Sequence, residues 1–161
     1  MFWNIITNLA SIITIISAIV TTVSAIKTKS YSEKVKEFCN KITNEYSAES
    51  LTIAGQFTNQ AKEEYYKLKK QYFGNSRGFK QDKTPEYLTE IEKLINQVLQ
   101  YTPSEFEDIK RIISITKNDI NTCINDYENK EKFNNVGHSL DKISEAIKKR
   151  QDYLRIENII S

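Results

Sequence analysis

The sequence has little of what metal enzymes and nucleotide-dependent enzymes need. Its 161 residues include one histidine, two cysteines, four glycines and two prolines. A single histidine, His138, excludes a two-histidine metal centre within one chain, and Cys39 and Cys123 are too far apart for a CxxC motif. No GxxxxGK phosphate loop, Rossmann glycine set or HExxH motif occurs. We therefore expect a binding protein rather than an enzyme, with no metal and no cofactor.

The scarcity of glycine and proline also favours long helices. From residue 51 onward, apolar residues recur at three- and four-residue spacing, and no segment shows the alternation of a strand. Ser47 is interpreted as a cap or bend, and Gly74 to Lys83 as a break. Thr84, Thr102 and Asn129 are interpreted as helix caps. The pattern predicts an all-α bundle of four or five antiparallel helices.

Charge is missing from the first 26 residues. A bilayer core is crossed by about 20 predominantly apolar helical residues, so this stretch is long enough to span. We expect residues 1–29 to form a single transmembrane helix with a basic flank, and residues 30–161 to form the helical-bundle domain. The alternative is a signal peptide cleaved after Ala25, which would leave an exported helical protein.

Polar and small residues form a stripe within this apolar stretch. They follow the three- and four-residue spacing of a helix-helix contact: Asn4, Thr7, Ser11, Thr14, Ala18, Thr21 and Ala25. Small and hydroxyl residues let membrane helices approach closely, so the stripe predicts an oligomer seam, with Thr7, Ser11, Thr14, Ala18 and Thr21 as its contact residues. A plain anchor with incidental hydroxyls is the alternative, and a water-filled pore would be a further step.

Lysines follow the apolar stretch, whereas no charged side chain precedes it. Positive residues favour the cytoplasmic side, so we expect the bundle in the cytoplasm, attached to the inner membrane. Two reduced, buried thiols at Cys39 and Cys123 agree with that compartment, and one disulfide is the alternative.

A basic region with interleaved aromatic residues is the candidate ligand site. Between residues 61 and 83 lysine and arginine outnumber acids, and Gly74 and Gly78 permit close backbone approach. We predict phosphate contacts from Arg77, Lys80 and Lys83, and base stacking on Tyr72, Phe73 and Phe79. The alternatives are a solvated loop and a surface for anionic lipid headgroups. A net charge of only +2 argues against general nucleic-acid binding.

The layout of an uncharged, hydroxyl-rich stretch from Ile5 to Ile26, lysines after it and a helical remainder resembles a known family. It is similar to the membrane-anchored effectors of type III CRISPR antiviral defence. The resemblance implies a cytoplasmic helical domain that assembles as a tetramer and binds cyclic tetra-adenylate, and whose ligand binding perturbs the membrane segment.

From these observations we expect a homo-oligomeric membrane effector. Its cytoplasmic domain would bind a small anionic signal of the cyclic oligoadenylate class and perturb or open the bilayer. The alternative is a passive, membrane-tethered helical adaptor that docks a protein partner.

Overall fold

The computed structural model is helical throughout the residues it describes. It describes the backbone of residues 2–74 and 81–160, and the side chains at 17, 20–74 and 81–157. Within these residues the helices are α1 (Phe2–Phe73), α2 (Thr84–Tyr101), α3 (Glu107–Asn125) and α4 (Lys130–Ile160), with a short 3-10 helix at Gln81–Lys83. The chain divides into two units, Met1–Thr43 and Asn44–Ser161. The prediction of an all-helical chain is confirmed for this part of the sequence.

The unit Asn44–Ser161 is a helical bundle around one apolar core. Each helix contributes residues at the predicted three- and four-residue spacing, because that spacing places them on one face. The fully buried residues of α1 include Leu51, Ala54, Thr58, Ala61 and Tyr65. The other helices contribute Leu88, Ile91, Ile95 and Val98 from α2, Ile109, Ile113, Ile120 and Cys123 from α3, and Phe133, Val136, Leu140 and Ile143 from α4.

Aromatic rings dominate the core where α1 meets the start of α4. Phe133 is fully buried and lies 5.4 Å, centroid to centroid, from each of Tyr65, Tyr72 and Phe73. The Tyr65 hydroxyl donates a hydrogen bond of 2.8 Å to the Phe133 carbonyl oxygen. We call Tyr65, Tyr72, Phe73 and Phe133 the aromatic cluster. It fixes α1 against α4, because the rings pack in stacked and edge-to-face pairs while the buried hydroxyl is satisfied.

The predicted caps are partly confirmed. Asn129 Oδ1 accepts hydrogen bonds from the backbone N–H groups of Glu131 (3.0 Å) and Lys132 (3.3 Å), as expected of an N-cap. The predictions for Thr84 and Thr102 are wrong: neither α2 nor α3 has a side-chain cap bond. The Thr102 hydroxyl instead donates to the carbonyl of Val98, one turn back. A hydroxyl engaged in this way is unavailable to the next helix.

The predicted end of the first helix near Ser47 is also wrong, since α1 continues to Phe73. Ser47 is buried, and its hydroxyl donates a 2.5 Å hydrogen bond to Glu105 Oε1 in the connection between α2 and α3. This bond lowers the pKa of Glu105. Because the hydroxyl is bound by a distant carboxylate, it does not compete with the backbone of its own helix.

The predicted N-terminal transmembrane helix needs correction. Among the residues that the structure describes, no helix is long and apolar enough to cross a membrane. Along α1, the side-chain description begins at Ser17, and the charged Lys27 and Lys29 follow within three to four turns. A span needs about 20 consecutive, predominantly apolar residues, and this part of the helix does not supply them.

Most of the predicted seam lies outside the described side chains. This applies to Thr7, Ser11, Thr14 and Ala18, whereas Thr21 is described and exposed. The Thr21 hydroxyl donates to the carbonyl of Ser17 at 2.8 Å. This hydroxyl is satisfied within its own helix, so it does not need a hydrogen bond from a second helix.

The two cysteines are free thiols in different surroundings. Cys123 is buried among the core residues of α3, and burial raises the pKa of its thiol to about 11. Cys39 is exposed, so the prediction of two buried thiols is wrong for this residue.

We expect a thiol-alkylating reagent to distinguish them. Iodoacetamide at pH 8 should modify Cys39 rapidly and leave Cys123 protected in the folded protein, because the reactive thiolate at Cys123 is both rare and shielded. Mass spectrometry of tryptic peptides over time measures both sites. Equal rates at Cys39 and Cys123 in the native protein would contradict this, and denaturation with urea provides the control in which both must react.

Candidate functional site

A groove on the exposed face of α1 in the bundle unit brings basic and aromatic side chains together. It has a volume of about 620 Å³. Its lining residues are Asn59, Lys62, Glu63, Tyr66, Lys67 and Lys70. These positions follow the three- and four-residue period of one helix face, and we call this feature the lysine groove. Along the axis, Lys62 and Lys70 are separated by roughly 12 Å at ~1.5 Å per residue, wide enough for a ligand with more than one phosphate.

Two lysines of the lysine groove already have acidic neighbours. Lys62 Nζ lies 2.7 Å from Asp141 Oδ1 of α4, and Lys67 Nζ lies 2.7 Å from Glu64 Oε1 on the same helix. The second pair is well exposed, with 62% and 50% of its side chains accessible, so it contributes little stability and is readily exchanged for another anion. Lys70 forms no ion pair with the described residues.

The protonation states along the lysine groove follow from these contacts. The hydrogen bond from Lys62 holds the pKa of the Asp141 carboxyl below its usual range. Partial burial, and then the negative charge of Asp141, raises the pKa of Tyr66. At neutral pH Tyr66 is therefore a hydrogen-bond donor, and its hydroxyl donates to Asp141 Oδ2 at 3.2 Å. Asp141 offsets the charge of Lys62, and Glu63 adds a negative charge to the lining. The positive charge available to an anion therefore comes from Lys70, and from Lys67 when the anion displaces Glu64.

Tyr66 also gives the lysine groove an aromatic surface. Its side chain is 46% exposed, and the ring packs edge-on against buried Tyr65 at 5.3 Å between centroids. Tyr65 thereby fixes the position of a ring that remains accessible. Fixed aromatic faces beside lysines are suited to stacking a nucleobase while the cations contact phosphate.

Three of the six predicted site residues lie within the described part of the chain. Arg77, Phe79 and Lys80 lie outside the described residues. Lys83 is exposed at the end of the 3-10 helix. Tyr72 and Phe73 belong to the aromatic cluster, where Tyr72 is 9% exposed and Phe73 is half-buried. The roles predicted for these six residues stay predictions.

Sequence reasoning placed Lys62, Lys67 and Lys70 in the basic region but did not select them as contacts. The signal was present in the spacing, because residues 59, 62, 63, 66, 67 and 70 share one face of a helix. The contribution of Asp141, 75 residues beyond Tyr66, is a tertiary contact that spacing does not reveal.

A second cavity of about 450 Å³ lies between α3 and α4. Its lining includes Arg150, which is engaged by Asp108 at 3.2 Å and lies over the Phe106 ring at 5.3 Å. Three cations and two acids line this cavity, whereas three cations and one acid line the lysine groove. The smaller excess of positive charge makes this cavity the weaker candidate for anions.

Within the described part of the chain, no group of three or more histidine, cysteine, aspartate or glutamate side chains is placed to hold a metal ion. His138 is exposed on α4.

We found no match to a protein family, a curated protein or a solved structure.

Proposed function

We propose that this protein is a homo-oligomeric effector whose helical bundle binds a small anionic signal in the lysine groove. The observation that carries the proposal is the placement of Lys67, Lys70 and the exposed ring of Tyr66 on one face of α1, beside the Lys62–Asp141 pair. Multivalent phosphate contacts with an aromatic stacking surface suit a nucleotide better than a simple carboxylate. Cyclic oligoadenylates are the first class to test.

We do not propose an effect on a membrane, because that prediction depended on the N-terminal transmembrane helix. The predicted tetramer and the role in antiviral defence remain proposals that rest on the resemblance described above. Ligand binding distinguishes this proposal from the adaptor alternative, because a passive adaptor is not expected to bind a small anion in the lysine groove.

We expect the double substitution Lys67→Glu with Lys70→Glu to weaken binding of cyclic tetra-adenylate by about 100-fold. Each reversal removes a charge-assisted hydrogen bond, and every 1.4 kcal/mol lost corresponds to a tenfold change in Kd. Isothermal titration calorimetry of the full chain at fixed salt provides the measurement. Circular dichroism of the same sample verifies that the bundle is folded.

The matched control for the lysine groove is Lys93→Glu on α2. Lys93 pairs with Glu90 at 2.7 Å with an i, i+3 spacing and 64% exposure, much as Lys67 pairs with Glu64. Binding should be unchanged in this variant. Equal losses in the control and the double variant would indicate a general charge effect, and an unmodified chain that binds no cyclic oligonucleotide would contradict the proposal.

A further inference from the structure

An apolar stripe runs along the unit Met1–Thr43, on α1. Four large side chains form it at four-, three- and four-residue intervals: Tyr31, Val35, Phe38 and Ile42. Their exposed fractions are 69%, 59%, 65% and 50%. We call these four residues the heptad stripe. Isolated apolar residues on a surface are ordinary, but four consecutive positions of one helix face are typical of an interface.

The heptad stripe belongs to a longer seven-residue repeat. Thr21, Thr28, Val35 and Ile42 are spaced seven apart and all are β-branched, and in the sequence the same spacing extends back to Thr14 and Thr7. Ser24, Tyr31 and Phe38 fall between them, each three residues after a β-branched position. A seven-residue repeat is typical of a helix face packed along another helix. The same repeat occurs in the bundle part of α1, where Leu51, Thr58 and Tyr65 are spaced seven apart and are fully buried against other helices.

The polar members of the repeat do not oppose burial. The Thr21 hydroxyl donates to the carbonyl of Ser17 at 2.8 Å, and the Thr28 hydroxyl donates to the carbonyl of Ser24 at 2.9 Å. With both hydroxyls satisfied inside the helix, no additional hydrogen-bond partner is needed across a contact. In parallel coiled coils, Ile or Val at one core position favours two strands when Leu occupies the other, and Val35 and Ile42 match the first of these positions.

From these observations we propose that a second copy of this chain covers the heptad stripe, as a parallel coiled coil in register. In this arrangement each β-branched residue would lie opposite the same residue of the other copy. A second copy therefore supplies a helix with the same seven-residue repeat. This association surface lies outside the bundle unit, so its test is separate from that of the lysine groove.

The charges beside the heptad stripe select the parallel orientation. Lys34 and Lys41 flank it on one side, seven residues apart, and Ser32 and Cys39 flank it on the other. In a parallel pair, the lysine flank of one copy lies beside the uncharged flank of its partner copy. An antiparallel pair with the same apolar layers would bring Lys34 towards Lys41 of the other copy, where like charges repel.

The area that this contact covers is adequate for association. Aromatic side chains bury ~150–250 Å² each on complete burial, and about two thirds of Tyr31 and Phe38 is exposed, so these residues from two copies account for on the order of 400–700 Å². Val35, Ile42 and the threonine methyl groups extend this towards the ~1,200 Å² at which specific interfaces begin. The repeat is therefore long enough for a defined pair.

Disulfide cross-linking of the full chain tests the proposal. In a Cys39→Ser background, we compare Val35→Cys with Lys36→Cys, which is the next residue and is also exposed but points away from the heptad stripe. Two cysteines are bridged only when their Cα atoms lie within about 7 Å, so Val35→Cys should form dimers at least tenfold faster under mild copper–phenanthroline oxidation. Dilution to low micromolar protein suppresses random collisions.

Two results would overturn the proposal. Equal cross-linking rates for Val35→Cys and Lys36→Cys would show that the contact is random. A heterodimer formed from a mixture of Val35→Cys and Phe38→Cys, with no Val35→Cys homodimer, would reveal an antiparallel pair.

A second measurement does not depend on cysteine chemistry. Sedimentation velocity should give a smaller assembly for Phe38→Glu than for the unmodified chain. A single monomeric species for both proteins across the concentration range would also overturn the proposal.

Discussion

Replacing Phe133 by alanine should lower the free energy of unfolding of the bundle by about 3–5 kcal/mol. Phe133 is fully buried and contacts the rings of Tyr65, Tyr72 and Phe73, each 5.4 Å away between centroids. Truncation removes the transfer energy of one ring and leaves a cavity bordered by three rigid rings. Because rigid rings cannot collapse into the space, the loss should lie in the upper part of the usual range.

Urea unfolding followed by far-ultraviolet circular dichroism measures this loss. Tyr153→Ala is the control on the same helix, since Tyr153 is 55% exposed, and its substitution should change stability by no more than about 0.5 kcal/mol. Phe133→Leu should retain part of the stability because it refills part of the cavity. A loss below about 1 kcal/mol for Phe133→Ala would mean that the aromatic cluster is not closely packed.

The second large effect is expected at Gly137 of α4. A Cβ atom placed there would lie 2.6 Å from Cε1 of Tyr65, 2.8 Å from its hydroxyl oxygen and 2.9 Å from Cζ. Tyr65 is fully buried and is held by its hydrogen bond to the Phe133 carbonyl. A shift of the ring would disturb this hydrogen bond and the packing of Tyr65 on Phe133, so Gly137→Ala should destabilise the bundle by about 1–3 kcal/mol.

Gly55 of α1 provides the matched control. A Cβ atom at that position meets Ile147 Cγ2 at 3.6 Å, which is an ordinary contact. Alanine is favoured over glycine in a helix interior, so Gly55→Ala should stabilise the protein by about 0.5–1 kcal/mol. Glycine-to-alanine substitutions in the two helices should therefore change the stability of the protein in opposite directions. Thermal denaturation of both variants measures these changes.

A double-mutant cycle separates the clash at Gly137 from any effect on the helix itself. Tyr65→Leu removes the ring that occupies the space, so Gly137→Ala should cost much less in that background. Additive losses in Gly137→Ala, Tyr65→Leu and the double variant would contradict the close approach of the two residues.

The helices of the bundle were predictable because their apolar positions are regular. Leu88, Ile91, Ile95 and Val98 of α2 are all buried as their spacing indicates, and Asn129 caps α4 as its position suggests. Such features depend on neighbours within a few residues, which the sequence shows directly.

Features that depend on distant residues were not predictable in the same way. The sequence predicts a cap or bend at Ser47, whereas its hydroxyl contacts Glu105, 58 residues away. The sequence predicts base stacking on Tyr72 as an aromatic residue in a basic region. The Tyr72 ring packs on Phe133, which the sequence does not reveal, and its role in stacking stays a prediction. Composition does not reveal which aromatic residues face the core when core and ligand face share the same residue types.

The candidate ligand site was likewise predictable only in part. The basic region was evident from the sequence, and Lys62, Lys67 and Lys70 fall within it. Asp141 was not connected to this region, although it offsets the charge of Lys62 and orients Tyr66. Our proposal therefore centres on the face of α1 that borders α4, and the roles predicted for Arg77, Lys80 and Lys83 stay predictions.

The close approach of Tyr65 and Gly137 also constrains how this sequence can diverge. A larger residue at position 137 would be tolerated only in a chain whose residue at position 65 is smaller, and such a chain would have lost the hydroxyl that binds the Phe133 carbonyl. An evolutionary path through either single change crosses a destabilised intermediate, so the two positions are expected to vary together. A residue without a side chain is therefore expected to leave a covariation signal.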